Sequence, residues 1–230
     1  MHEQLPSPDS SPVILQVRDQ LTVSGLLTVP PGARACYVLA HGAGAGMRHP
    51  SMSAVATGLA GLGIATLRFQ FPYMERGARR PDPPPLCHAT VRAAAAAAAR
   101  LVPQLPLTAG GRSFGGRMTS QAQALEPLAG VRGLAFLGFP LHPAGEPADA
   151  RARHLGDVAI PMLFLQGTRD ALADRALLEA LIARLGARAT LSLVEGADHS
   201  FHVPARGVRS DAQVLSEVLA RLAAWIDALR

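Results

Sequence analysis

The feature that most restricts the fold is an alternation of short β-type runs with stretches of helical composition. Strand candidates are Val13–Val17, Leu21–Val29, Cys36–Ala40, Ile64–Phe69, Leu107–Gly110, Gly133–Leu137, Met162–Gln166 and Thr190–Val194. Helical segments fall at about Met52–Gly61, Ala89–Leu101, Phe114–Leu125, Asp174–Leu185 and Ser210–Leu229. Most of the later strands are apolar throughout rather than alternating polar with apolar, as a strand covered on both faces must be. The pattern predicts a mostly parallel eight-stranded sheet flanked by helices on both sides. The first two strands, joined by Arg18-Asp19-Gln20, predict an antiparallel hairpin at one edge.

The 230 residues suit one α/β domain over 13–230, preceded by a polar, proline-bearing stretch at 1–12 that is expected to be a disordered tail. Hydrophobic residues make up 49% and charged residues 17%, so a substantial core can form. No apolar run approaches the roughly 18 residues of a membrane span, and the N-terminus lacks a signal-peptide layout. The expectation is a soluble, cytoplasmic protein without a membrane partner.

All 22 basic residues are arginine. A P-loop lysine, a Schiff-base lysine and a Ser–Lys pair are thereby excluded. The net charge of +5 is spread along the chain, and its densest group, Arg76, Arg79 and Arg80, lies in a proline-rich loop without aromatics. Nucleic acid is therefore not an expected partner. Cys36 and Cys87 form no metal or disulfide pattern, and no metal site is expected. The alanine run at 93–99 reads as a helix packed closely on the sheet. Pro72–Leu86 and Phe139–Asp157 follow strands at the carboxyl edge of the sheet and are candidate walls of a site.

Gly111-Arg112-Ser113-Phe114-Gly115 fits G-x-S-x-G, with a strand before it and a helix after it. That context is required of a nucleophile elbow, whose turn is sharp enough to strain the serine backbone. Glycine at 111 and 115 spares collisions between side chains on either side of the serine, and Gly116 lets the helix start close to its neighbour. Serine needs a base, and the base an orienting acid, in the chain order Ser, Asp or Glu, His. Asp170 and His199 each follow a strand at its carboxyl end, on the same edge as Ser113. Asp174 is the alternative acid but suits the N-cap of the next helix. Asp198 adjoins the histidine too closely to fold back on it, and His202 is the alternative base.

An oxyanion needs a second N–H besides that of Phe114. The third strand runs into His41-Gly42-Ala43-Gly44-Ala45-Gly46, which offers Ala43 first and Gly44 second. A dinucleotide-binding reading of this loop fails, since Met47 stands where the third glycine should be. Arg68, Arg112 and His142 are candidates for substrate contact, the arginines toward a carboxylate; the alternative for each is a structural role.

The chain resembles the α/β-hydrolases, and within them a small dienelactone-hydrolase-like group related to the hydrolase-like subunit of a nonspecific-lethal histone acetyltransferase complex. The stretches that carry the resemblance are HGAGAG at 41–46, RFQFPY at 68–73, GGRSFGGRM at 110–118, FLGFPLHPAGEP at 136–147, LFLQGTRD at 163–170 and GADHSF at 196–201. The resemblance implies the triad Ser113, Asp170, His199 and no cofactor. True dienelactone hydrolases carry cysteine where this chain has Ser113, so their substrate is not implied. The expected activity is that of a carboxylesterase-like serine hydrolase, cleaving a small-molecule carboxylester or thioester through an acyl-enzyme. The alternative is a non-catalytic scaffold whose loops bind a protein partner. The connection Phe139–Asp157 is too rich in proline and glycine for a helical cap domain, so a shallow, loop-walled pocket is expected.

Overall fold

The structure, a computed structural model, describes residues 10–204 and 208–229. The strands are β1 (Ser10–Arg18), β2 (Leu21–Thr28), β3 (Ala35–Ala40), β4 (Ile64–Phe69), β5 (Leu107–Arg112), β6 (Val131–Leu137), β7 (Met162–Gly167) and β8 (Ala189–Val194). The α-helices are α1 (Pro50–Gly61), the single turn α2 (Pro72–Glu75), α3 (Pro84–Leu101), α4 (Phe114–Leu125), α5 (Arg175–Leu185) and α6 (Asp211–Ala228). Among the described residues the strands form one sheet in the order β1-β2-β4-β3-β5-β6-β7-β8. β2 runs antiparallel to both β1 and β4, and every other pair is parallel. The expected edge hairpin and parallel body are both present.

Strands that read as unbroken apolar runs still sort their side chains with period two. Cys36, Val38 and Ala40 of β3 enter a core shared with α3, α4 and α5, while Ala35, Tyr37 and Leu39 enter the core under α1 and α6. Both faces are covered, which is why neither set is polar.

Local signals account for the helix ends. Asp174 caps α5 by accepting from the Leu177 N–H at 3.0 Å. Ser210 and Gln213 form a capping box at the start of α6. α3 begins five residues earlier than the sequence suggested, because Pro84 and Pro85 occupy its first turn, where a missing N–H costs nothing. Its buried Ala94, Ala95, Ala97 and Ala98 let it lie close to the sheet.

Three residues assigned to the tail, Ser10, Ser11 and Pro12, are instead the start of β1 and pair with Thr28, Leu27 and Leu26. Proline is tolerated there because β1 is an edge strand with one unpaired side. The remainder of that stretch lies outside the described residues. The connection after β6 contains a 3₁₀ helix, Ala150–Asp157, and no separate helical cap. None of the helices in the described residues is long and apolar enough to cross a membrane.

Candidate active site

β5 extends two residues beyond its expected end, so the G-x-S-x-G segment starts inside the strand and Ser113 sits between β5 and α4. Ser113 has φ +47° and ψ −116°, a left-handed conformation that costs a residue with a Cβ about 1–3 kcal/mol. The flanking glycines make room for β3 rather than for one another. A Cβ on Gly111 would lie 2.2 Å from the Ala40 carbonyl oxygen, and one on Gly115 2.5 Å from that of His41. The collision expected within the turn is instead one with the neighbouring strand, which the glycines clear.

Asp170 and His199 follow β7 and β8 at the same edge. The Asp170 side chain is fully buried, and its Oδ2 accepts from Nδ1–H of His199 at 2.7 Å. Its other oxygen accepts the Leu172 N–H at 2.8 Å, and the Gln166 side-chain amide also donates to Oδ2. Gln166 in turn accepts the Phe139 N–H at 2.8 Å, tying the carboxylate to the chain beyond β6. Gln166 was not among the expected site residues; its signal was a polar side chain ending an otherwise apolar strand. With Nδ1 committed to Asp170, His199 Nε2 is buried without a hydrogen-bond partner, its lone pair free to accept a proton.

The loop carrying His199 is held from several sides. Asp198 Oδ1 accepts the N–H groups of Ser200 at 2.8 Å and His202 at 2.9 Å. Glycine at 167 admits this loop, since a Cβ there would lie 2.3 Å from the Ala197 oxygen. His202, the alternative base, pairs instead with Asp211 on α6 at 2.7 Å, and that carboxylate raises its pKa.

Of the three backbone donors proposed for an oxyanion, Ala43 and Phe114 have N–H groups with no internal partner among the described residues. Gly44 is different, because its N–H donates to the Tyr73 hydroxyl at 3.3 Å. His41 beside them is structural. Nδ1–H donates to the Gly42 oxygen at 2.8 Å, Nε2 accepts the Phe71 N–H at 3.1 Å, and burial pushes the pKa down to about 4.

Two of the three substrate-contact candidates are also committed elsewhere. His142 is buried, with Nδ1–H bonded to the Pro143 oxygen and Nε2 accepting the Asp174 N–H, so neither nitrogen remains for a ligand. Arg68 is buried on β4 and donates to the Met47 oxygen and to the hydroxyls of Ser53 and Ser10. It lies outside the cavities around Ser113 and braces the loop after β3 against α1 and β1. Arg112 does line the cavity that holds Ser113 and His199, and the charge of Asp198 partly offsets the burial that lowers its pKa.

Ser113 borders two cavities, each of about 390 Å³. One is shared with His199, Arg112 and Ser200; the other is walled by Phe114, Arg117 and Arg151. Ala43 and Leu172 line both. Among the described residues no group of His, Cys, Asp or Glu is assembled as a metal site.

This strand order, with a serine at the turn into α4 and an acid and a histidine past the last two strands, is the α/β-hydrolase architecture. A model of the alpha/beta hydrolase domain matches residues 33–227, and the chain belongs to that family. In fold it is similar to a dienelactone hydrolase from Anabaena variabilis, with TM-score 0.76 and 23% identity over 96% of this chain and 98% of the other. It is also similar to a lidless α/β serine hydrolase from Xanthomonas campestris, at TM-score 0.72 and 21% identity, with 96% of each chain covered. A third similar structure, Est1E from Butyrivibrio proteoclasticus, has TM-score 0.70 and 15% identity over 95% of this chain and 100% of its own.

Proposed function

We propose that this chain is a serine hydrolase that cleaves an ester-type bond, carboxylester or thioester, of a small molecule through an acyl-enzyme. The left-handed backbone of Ser113 carries the reading. A strained conformation at a cavity costs stability that a binding scaffold has no need to give up. Ser113 Oγ attacks the substrate carbonyl carbon as its proton passes to His199 Nε2. Asp170 holds the imidazole with its proton on Nδ1 and stabilises the imidazolium that forms. The N–H groups of Phe114 and Ala43 bind the oxyanion, where one such donor is typically worth about 10²–10³ in kcat. The imidazolium returns its proton to the leaving alcohol or thiol, and the Ser113 acyl ester remains. Water then attacks that ester with His199 as base, releasing the acid and restoring the Ser113 hydroxyl. Binding of substrate brings Oγ and Nε2 together, a contact that often tightens only in the complex.

Labelling of the purified protein with a fluorophosphonate, followed by peptide mapping, tests this directly. The expected adduct is on Ser113, together with turnover of short esters. A protein that neither labels nor turns over any ester is the scaffold.

A further inference from the structure

The two cavities beside Ser113 are chemically unequal, and the proposed reaction decides which part of a substrate each receives. His199 must protonate the leaving group, so the alcohol or thiol lies in the cavity that His199 lines. The acyl chain is left with the other cavity, which borders Ser113 and Phe114 but not His199.

That second cavity holds two arginines, Arg117 on α4 and Arg151 on the 3₁₀ helix. Neither guanidinium has a hydrogen bond or ion pair with any described residue. The Arg117 guanidinium rests over the Phe114 ring, 5.9 Å from its centroid, and its Nε is buried without a partner. Burial, then repulsion from Arg151, lowers its pKa. The acid in the cavity wall, Asp82, pairs through Oδ1 with Arg76 at 2.6 Å and has its Oδ2 buried without a partner, and it is not among the charges that act on Arg117. Nearby His154 is pushed down to about 4 by burial and by Arg117, and so adds no compensating group. Buried donors without acceptors and like charges in one cavity are costly unless an anion completes them. Arg112, across the serine, already has the opposing charge of Asp198.

We propose that Arg117 and Arg151 bind a carboxylate on the acyl part of the substrate, making half-esters or half-thioesters of short dicarboxylic acids the substrate class. This rests on the serine-hydrolase reading above. Planar guanidinium donors match the two oxygens of a carboxylate.

Three methyl or carboxymethyl esters of similar length test it: monomethyl glutarate, methyl pentanoate, and carboxymethyl butanoate, which carries its charge on the alcohol side. Expected is a kcat/KM for monomethyl glutarate roughly 10–100-fold above that for methyl pentanoate, the range for a charge-assisted hydrogen bond. Arg117→Gln and Arg151→Gln should each lower that ratio by about tenfold or more. Exposed Arg100→Gln, which keeps the general attraction of a cationic chain for anions, should leave it unchanged. Because the ratio compares two substrates on one protein, a packing role of Arg117 beneath Phe114 cancels. A wild-type preference for methyl pentanoate or carboxymethyl butanoate overturns the proposal even if the variants fail to fold. So does a ratio unmoved in both glutamine variants. No turnover of all three esters, with no labelling of Ser113, overturns the hydrolase reading and this one with it.

Discussion

The Asp170 carboxylate accepts the Nδ1–H of His199 at 2.7 Å, and so decides which face of the imidazole is free to take a proton. The carboxylate is itself oriented by the Leu172 N–H and the Gln166 amide, so it has little freedom to turn away. Replacing it with asparagine presents an amide N–H in place of an acceptor and favours the wrong tautomer. Asp170→Asn should lower kcat by roughly 10⁴ with the fold retained. Asp174→Asn, at the α5 cap, should cost at most about 1 kcal/mol and leave kcat alone. Steady-state kinetics and urea unfolding of both variants separate the two aspartates, and reversed outcomes would reassign the acid.

The backbone of Ser113 predicts a gain of stability on loss of function. Glycine accepts φ +47° without the clash of a Cβ, so Ser113→Gly should raise stability by about 1 kcal/mol. Ser113→Ala keeps the strain and should melt near the wild type. Neither variant should be labelled by a fluorophosphonate. Labelling that persists in both would move the nucleophile to another residue, with Ser200 the first to map.

Gly138 is a further point of control. It has φ +73°, and a Cβ there would lie 3.3 Å from Nδ1 and Cε1 of His199 and 3.0 Å from its carbonyl oxygen. Gly138→Ala should therefore lower both Tm and kcat, with a larger fractional effect on kcat because the imidazole itself is displaced. Wild-type kcat in this variant would show that the imidazole is not held where the structure puts it.

Stability should fall on acidification because of His41. Its folded pKa is about 4 against an unfolded value near 6.5, so the unfolded chain binds the extra proton between those values. The sign follows: stability is level above about pH 6.5 and declines toward pH 4, by about 3 kcal/mol from this residue. Urea midpoints across that range should show the slope, and His41→Gln should reduce it, leaving the share of His154, which burial also pushes down to about 4, while lowering stability at pH 7. A wild-type midpoint that does not change from pH 7 to pH 4.5 would contradict the buried neutral imidazole.

Without a helical cap, the cavities around Ser113 are walled by loops and offer little apolar area for a long acyl chain. Among p-nitrophenyl esters, acetate or butyrate should be hydrolysed faster than palmitate, with no activation at an oil–water interface. A palmitate optimum would mean that a deeper acyl channel opens on binding.

Much of the fold was legible because its causes are local. Apolar runs such as Cys36–Ala40 and Met162–Gln166 had to be doubly covered strands, and Asp174 and Ser210 marked helix starts by hydrogen bonds reaching three residues. The strand–turn–helix setting singled out Ser113, and chain order brought Asp170 and His199 to one edge. These follow from spacing and from the rule that ligands gather at the carboxyl ends of parallel strands. What depends on residues far apart in the chain was not legible. The collision partner of Gly111 and Gly115 is β3, roughly seventy positions away in sequence, a contact that only sheet pairing creates. Gln166 stands out in sequence only as a polar residue ending an apolar strand, and its role in orienting Asp170 is set by where Phe139 and Asp170 come to lie. The arginines show the division best. From sequence Arg68 and Arg112 were the candidates and Arg117 and Arg151 were not, although charge and donor count are the same in all four. Tertiary structure buries Arg68 among carbonyl and hydroxyl oxygens, sets Arg112 near Asp198, and brings Arg117 and Arg151 together beside Ser113 with neither guanidinium paired to an acid. A guanidinium's role is set by which acceptors surround it, and that is decided by the packing of segments distant in the chain.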